Sequence, residues 1–471
     1  MGSRYRNESD PKDSPTAQRQ AGILKGAKEH EPVGQLPPQP WWQSPEVKRL
    51  FQALTPEDQP ALAPRFVGGS VRDALIGAGK AGDGISAVIA DLDVATPLEP
   101  DQSCAALEAA GIRWIGTGLS HGTVTAVVDG QTFEVTSLRR DVACDGRHAD
   151  VEFTRSWRED ASRRDFTVNA LSADGQGWVY DYFDGIADLH ARHIRFIGRA
   201  SDRIQEDYLR ILRFFRFHAR LGIGYPNGEG MAACAQLRDG LDSLSIERVR
   251  TEILKLLAAP DPVPSLLAMR DAGVLERVLP EGETVPLLRM VVFLEDRGVM
   301  AEGVGPDPLR RLGALVGCGA VDRSTADQTN LVEQLSRRWK LSRAEQARLS
   351  ALAGVPPRPD MSQADLAVML DGAGPQAVLD RLLLAWAADR DSEKRSSAQE
   401  TEAWRSLLDR VLAWDPPPFP LDGAAVMSLG LAPGPEVGRV LARAKDHWLR
   451  AGMGLDRAAL LAWVKDQQDP G

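Results

Sequence analysis

Residues 91–98 read DLDVATPL, and Asp91 and Asp93 are the only polar side chains in the first five of them. On a strand, residues two apart point to the same face, so these two carboxylates project together, about 6–7 Å apart at the backbone. Like charges this close raise one another's pKa unless a cation lies between them. A hard divalent ion that takes carboxylate, water and phosphate oxygens suits such a pair, and Mg2+ is the natural candidate. Further along, TFEVTSL supplies Glu134 between Phe133 and Val135. An acid in that setting either faces solvent by simple alternation or adds a third ligand beside the aspartates.

Upstream, VGGSVRD has the parts a triphosphate needs. Gly68 and Gly69 let the backbone turn and approach a ligand closely. Their N–H groups, with those opening a helix capped by Ser70, make an anion site at a helix N-terminus. Arg72, in the first turn, offers a guanidinium to phosphate. A glycine pair before a helix is a common turn, and a D-x-D pair is a common exposed strand. The two in this order, roughly 20 residues apart, favour a nucleotide and metal site.

The elements that must position these groups follow from local pattern. SPEVKRLFQAL (44–54) predicts a helix opened by Ser44 with Pro45 at its first position. RFVGG (65–69) predicts a short strand, SVRDALIG (70–77) a helix, AVIADLDVAT (87–96) a strand and DQSCAALEAAG (101–111) a helix ending at Gly111. GTVTAVVDGQTFEVTSL (122–138) predicts a hairpin turned by Asp129-Gly130. From about residue 190 the pattern is helical to the end. IERVRTEILKLL (246–257), for example, places Ile246, Val249, Ile253 and Leu256 on one face. Residues 1–40, rich in Pro, Gln, Lys and Glu, read as a disordered leader.

The 471 residues carry a formal net charge of −10, which by itself counts against a nucleic-acid partner. Distribution matters more than the sum, because screening limits reach to about 8–10 Å. Residues 191–220 hold eight arginines and three acids. Within them Arg210, Arg213, Arg216 and Arg220 share one helical face, with Asp207 three residues before Arg210. Periodicity alone makes this a solvated basic face with an Asp207–Arg210 ion pair. EDASRRDFTVNAL (159–171) puts Asp165 and Asn169 four apart, on one face if the segment is helical, with Asp165 a possible helix N-cap. Residues 139–157, rich in Gly, Asp and Arg and without clean periodicity after 141, read as a mobile loop or a plain surface connection. Four scattered cysteines form no close pair, which fits a reducing compartment, and no run of about 20 apolar residues predicts a membrane span.

GGSVRD, DLDVAT, HGTVTAVVDGQTFEVTSLRRD, RRDFTVNAL and EDYLRILRFFRFHARLG, in this order over about residues 60–260, closely resemble the bacterial (class II) CCA-adding enzymes. These tRNA nucleotidyltransferases are relatives of bacterial poly(A) polymerase in the polymerase-β-like nucleotidyltransferase superfamily. The resemblance implies an α+β fold: a small N-terminal nucleotidyltransferase head with a mixed sheet and helices, then an elongated all-helical neck, body and tail. The expected boundaries are a leader at 1–43, the head at 44–190, a neck at 191–260 and a tRNA-binding body and tail at 261–471.

The family's metal-binding catalytic acids map onto Asp91, Asp93 and Glu134. Its nucleotide-binding residues map onto Gly68, Gly69, Ser70, Arg72, Arg164, Asp165, Asn169, Asp207, Arg210, Arg213 and Arg216. The implied reaction, on two Mg2+ ions, is attack of a tRNA 3′-hydroxyl on the α-phosphate of CTP or ATP, building or repairing the terminal CCA in the cytoplasm. In the family, the E-D-x-x-R segment reads the base. Cytosine and adenine each present an amine donor beside a ring-nitrogen acceptor, which Asp207 and Arg210 would match, whereas uracil and guanine would leave both groups unpaired. Arg213 and Arg216 are expected at the triphosphate or RNA, and Glu206 is an alternative support for Arg210. The loop after Glu134 would help the switch from CTP to ATP. The competing readings are a poly(A) polymerase on the same scaffold, a non-catalytic RNA-binding protein, and a transferase acting on a small molecule.

Overall fold

The Asp129-Gly130 turn forms as the sequence predicts, and it starts the sheet that carries the site. Both residues have positive φ, 48° and 89°, the signature of a type I′ turn. They join strands β5 (Thr123–Val128) and β6 (Gln131–Ser137), paired antiparallel over six positions. In this computed structural model the described residues are 31–77, 92–119, 122–144, 149–299, 301–318, 324–391 and 397–467. Asp91 lies outside them, as does the first half of the strand expected over 87–96. The described part of that strand, β3 (Asp93–Thr96), runs parallel to β6.

The other described strands of this sheet are β1 (Gly34–Gln35), β2 (Arg65–Val67), β4 (Arg113–Gly118), β9 (Ser172–Ala173) and β10 (Trp178–Tyr180). Their order is β1-β10-β9-β2-β3-β6-β5-β4. β1 pairs with β10, and Leu36 and Trp42 are buried, so the ordered head starts upstream of the boundary expected at residue 44. A polar composition had masked two anchoring apolar side chains.

The helix Pro45–Leu54 is capped by Ser44, whose hydroxyl accepts from Val47 N at 3.2 Å, and Val47, Leu50 and Leu54 are its buried stripe. The next helix, Gly69–Gly77, begins one residue before the position expected. Ser70 lies inside its first turn and donates its hydroxyl back to Val67 O at 3.3 Å, so it is not the cap. Residues 139–157 also differ from expectation. They contain a second, two-stranded sheet, β7 (Arg139–Cys144) with β8 (Ala149–Phe153). A segment rich in Gly, Asp and Arg leaves no hydrophobic alternation to read.

Behind the sheet, Arg65 is buried with its guanidinium 3.5 Å from the Tyr180 ring centroid and 4.4 Å from that of Trp157, and it donates to Tyr182 Oη at 3.0 Å. This stacking fixes the short helix Trp157–Ser162 against the sheet. The helix Leu209–Leu221 packs its apolar side through Phe214 and Phe217 onto Phe166 and Phe196.

The chain divides into two compact units at Gly240/Leu241, so the segment expected as one neck over 191–260 is split between them. The Phe166–Phe196–Phe214–Phe217 cluster is why the arginine-bearing helix belongs to the first unit. The second unit is helical throughout its described residues, from Ile246–Leu257 to Arg457–Asp466. Val249, Ile253 and Leu256 are buried as expected. Trp339, Trp386, Trp404 and Trp448 fill its interior, while Trp414 and Trp463 are partly buried beside it. It also buries an ionic cluster. Arg311, 0 % exposed, donates to Glu295 at 2.6 Å and to Leu257 O at 2.6 Å, while Arg310 bridges Glu295 at 2.5 Å and Asp380 at 2.9 Å. Among the described residues no helix is long and apolar enough to cross a membrane.

Candidate active site

β3 and β6 bring two of the acids expected to bind metal together. Their parallel register sets Asp93 directly beside Glu134, 41 residues later in the chain, with Val94 beside Val135 as the next pair. Neighbouring strands lie about 4.8 Å apart and paired residues share a face. The two valines are buried on the other face while Asp93 and Glu134 are exposed. Glu134 therefore faces solvent by alternation and stands beside the D-x-D strand as well. Two hard carboxylates on one open face have the donor chemistry a divalent ion takes. Asp91, the partner of Asp93 in the expected aspartate pair, lies outside the described residues, and among those described no three metal-ligating side chains are gathered.

β2 is the antiparallel neighbour of β3, with Phe66 beside Val94, so the chain leaves β2 alongside Asp93. The turn that follows is made by Gly68, at φ +70°. A side chain there would be strained, and its Cβ would meet Arg164 Nη1 at 3.2 Å. The Gly68-Gly69 turn thus places helix-opening amides and the Arg164 guanidinium next to the carboxylates.

The remaining candidates form a buried polar chain. Arg72, 4 % exposed, donates Nη1 to Asn169 Oδ1 at 2.5 Å and Nε to Asp73 at 2.8 Å. Asn169 Nδ2 donates to Asp165 Oδ1 at 2.9 Å, and Arg213 grips Asp165 Oδ2 through Nε at 2.6 Å and Nη2 at 2.5 Å. Asp165 and Asn169 meet as their spacing suggested, but through a turn into the 3-10 segment Thr167–Asn169 and not on one helix face. Asp165 is not its cap: Phe166 holds that position. Burial alone would push the Asp165 carboxyl up, but Arg213 and Asn169 hold it below the ordinary carboxylate range.

The arginine stripe is not a solvated face. Arg210 pairs with Glu206 at 2.5 Å, Arg213 with Asp165, and Arg220 with Asp73 at 2.9 Å, while Arg216 lies over the Phe217 ring at 4.2 Å. Arg213, with one edge on Asp165, keeps little beyond its other nitrogen for the phosphate contact expected of it. Asp207 precedes the helix in extended conformation and accepts from Leu209 N at 3.0 Å, so the stripe itself starts at Arg210. Arg210 also donates to Arg203 O at 2.9 Å and Arg163 O at 3.3 Å, which fixes the direction of its guanidinium.

Sequence reasoning did not single out Asp160. It is 3 % exposed and binds Arg163 Nε at 2.9 Å, Arg164 Nη2 at 3.2 Å and Arg139 N at 3.3 Å. Its positions three and four before two arginines were the available signal. Burial would raise its carboxyl, but Arg164 and Arg163 hold it below the ordinary range.

Residues 64–195 match the Poly A polymerase head domain family, and residues 229–285 match the probable RNA and SrmB-binding site of polymerase A. The chain is 27% identical to the Bacillus stearothermophilus CCA-adding enzyme in complex with CTP, with a TM-score of 0.67 over 92% of this chain and 98% of that one. It is 40% identical over 219 residues to the CCA-adding enzyme of Streptococcus pyogenes, 46% of this chain and 50% of that protein. Against the mitochondrial CCA tRNA nucleotidyltransferase 1 of Mus musculus, identity is 33% over 434 residues, 90% of this chain and 92% of that protein. Likeness at this level along nearly all of both chains, on a head whose carboxylates and glycine turn stand side by side, makes this chain a member of the CCA tRNA nucleotidyltransferase family.

Proposed function

We propose that the protein adds or repairs the 3′-terminal CCA of tRNA from CTP and ATP. The observation that carries this is the in-register Asp93–Glu134 pair beside the Gly68-Gly69 turn. It supports a site where a nucleotide's triphosphate lies against backbone amides while its α-phosphate faces carboxylates. In the reaction the tRNA 3′-oxygen bonds to the α-phosphorus, the bond to the bridging oxygen breaks, and pyrophosphate leaves. Asp91, Asp93 and Glu134 would hold Mg2+ in a two-metal site, whose Lewis acidity lowers the hydroxyl's pKa and offsets charge on the leaving pyrophosphate. Arg164 and the turn amides orient the triphosphate. Arg72 is buried and bound to Asn169, so it acts by holding Asn169 and the Asp165–Arg213 pair in place.

Base choice falls to Asp207 and Arg210. Arg210 is seated by Glu206 and two carbonyls, which leaves a guanidinium edge of fixed direction for a ring-nitrogen acceptor. Asp207 accepts from Leu209 N, which fixes its carboxylate beside Arg210, and a carboxylate is the acceptor an exocyclic amine needs. The reading implies a reducing compartment such as the cytoplasm, in keeping with Cys104, Cys234 and Cys318 buried as thiols.

The test is incorporation of labelled CTP and ATP on tRNA lacking its tail. CMP twice and then AMP once is the expected product. Incorporation of AMP alone, in runs, identifies a poly(A) polymerase instead, and no incorporation at all identifies a non-catalytic RNA-binding protein.

A further inference from the structure

The Asp160 carboxylate bonds to three parts of the head at once. Its Oδ1 accepts from the backbone N of Arg139, the first residue of the β7–β8 ribbon, and from Arg163 Nε. Its Oδ2 accepts from Arg164, whose other guanidinium nitrogen overhangs Gly68. The ribbon's far root is tied to the same helix, for Thr154 donates to Glu159 Oε2 at 2.5 Å.

The clamp continues toward the base-reading group. The backbone carbonyl of Arg163 accepts from both Arg203 and Arg210, and that of Arg164 accepts from Arg203 at 2.9 Å. Arg203 in turn pairs with Glu206 at 2.6 Å, the carboxylate that also holds Arg210. The turn at 163–164 is therefore one wall of the Arg210 seat, directly through Arg163 O and indirectly through Arg203, and Asp160 grips both of the turn's side chains. One buried carboxylate that holds two cations and a ribbon amide is a specific device, because removing its charge leaves both guanidinium groups without their counter-ion.

We propose that Asp160 is a positioning residue for base selection: it locks the 163–164 turn to the root of the ribbon, and through the carbonyls of that turn it sets the direction of Arg210. This rests on the reading of the head as a CTP and ATP transferase.

Asp160→Asn keeps the shape and one acceptor but loses the charge. We expect the ratio of kcat/KM for CTP to that for UTP to fall about tenfold in a variant that still unfolds cooperatively, since an Arg210 free to tilt no longer leaves uracil unpaired. In an Arg210→Ala background the same change should alter that ratio by less than about twofold, because the two residues act along one path. Arg163→Gln, which opens the clamp from its more exposed side, should reproduce the loss if Asp160→Asn fails to fold. A folded Asp160→Asn or Arg163→Gln chain with undiminished selectivity overturns the proposal, as does full additivity with Arg210→Ala. A wild-type chain that transfers neither nucleotide to tRNA overturns the underlying reading, an outcome distinct from either of these.

Discussion

Arg213 and Asp165, 48 residues apart in the chain, meet in a two-pronged ion pair at 2.5 and 2.6 Å. Asp165 is 7 % exposed and Arg213 about a third exposed, so the pair closes the inner end of a polar chain that runs through Asn169 to Arg72. It pins the arginine-bearing helix to the segment that carries Arg164.

Loss of the Arg213 cation should therefore be felt in both stability and binding. Arg213→Ala leaves Asp165 buried beside only an amide, and breaking such a pair from one side costs about 3–5 kcal/mol when fully buried. Screening at the exposed guanidinium reduces this, and about 2 kcal/mol is expected by urea denaturation. Nucleotide KM should rise with it, since Asn169 and Arg72 lose their anchor.

The head should be acid-labile with a defined window. Asp160 and Asp165 both have carboxyl pKa values below the ordinary range in the folded chain, burial being outweighed by Arg164 and Arg163 at one and by Arg213 at the other. An acid whose folded pKa is depressed contributes stability that is fully present above its unfolded pKa, about 3.9, and is lost as pH falls through the folded value. Stability should be flat in this respect above about pH 5 and fall steadily below about pH 4. In Asp165→Asn the slope of the unfolding free energy against pH should be shallower in that range.

Asp93→Ala should abolish CMP and AMP transfer together. Several kcal/mol of charge stabilisation correspond to a loss of about a thousandfold in rate. Chelation of divalent ions from the wild-type chain should do the same, reversibly on adding Mg2+.

In the second unit, Arg311→Ala should be among the most damaging single changes. It leaves Glu295 with Arg310 as its one remaining described cation and leaves the carbonyls of Leu257 and Ala259 without this donor. A cost of about 3–5 kcal/mol is expected. Because Trp386 and Trp404 stack in the same unit at 6.1 Å, tryptophan fluorescence against urea reads it directly.

Local devices were legible in the chain alone. Ser44 with Pro45 opens a helix and Asp129-Gly130 turns a hairpin because each works through contacts two to four residues apart, which composition and spacing encode. The order of five motifs sufficed to place the chain in its family. Tertiary structure alone decided who meets whom. Asp93 lies beside Glu134 by the register of two parallel strands, Asp165 binds Arg213 across a helix interface, and Asp160 ties a ribbon to a turn. Such pairings depend on sheet order and on aromatic packing between distant segments, so a reading by periodicity took the stripe for a solvated face and the ribbon for a loop. Spacing along a chain states which side chains share a face. Only the closing of the fold states which charge that face will find opposite it.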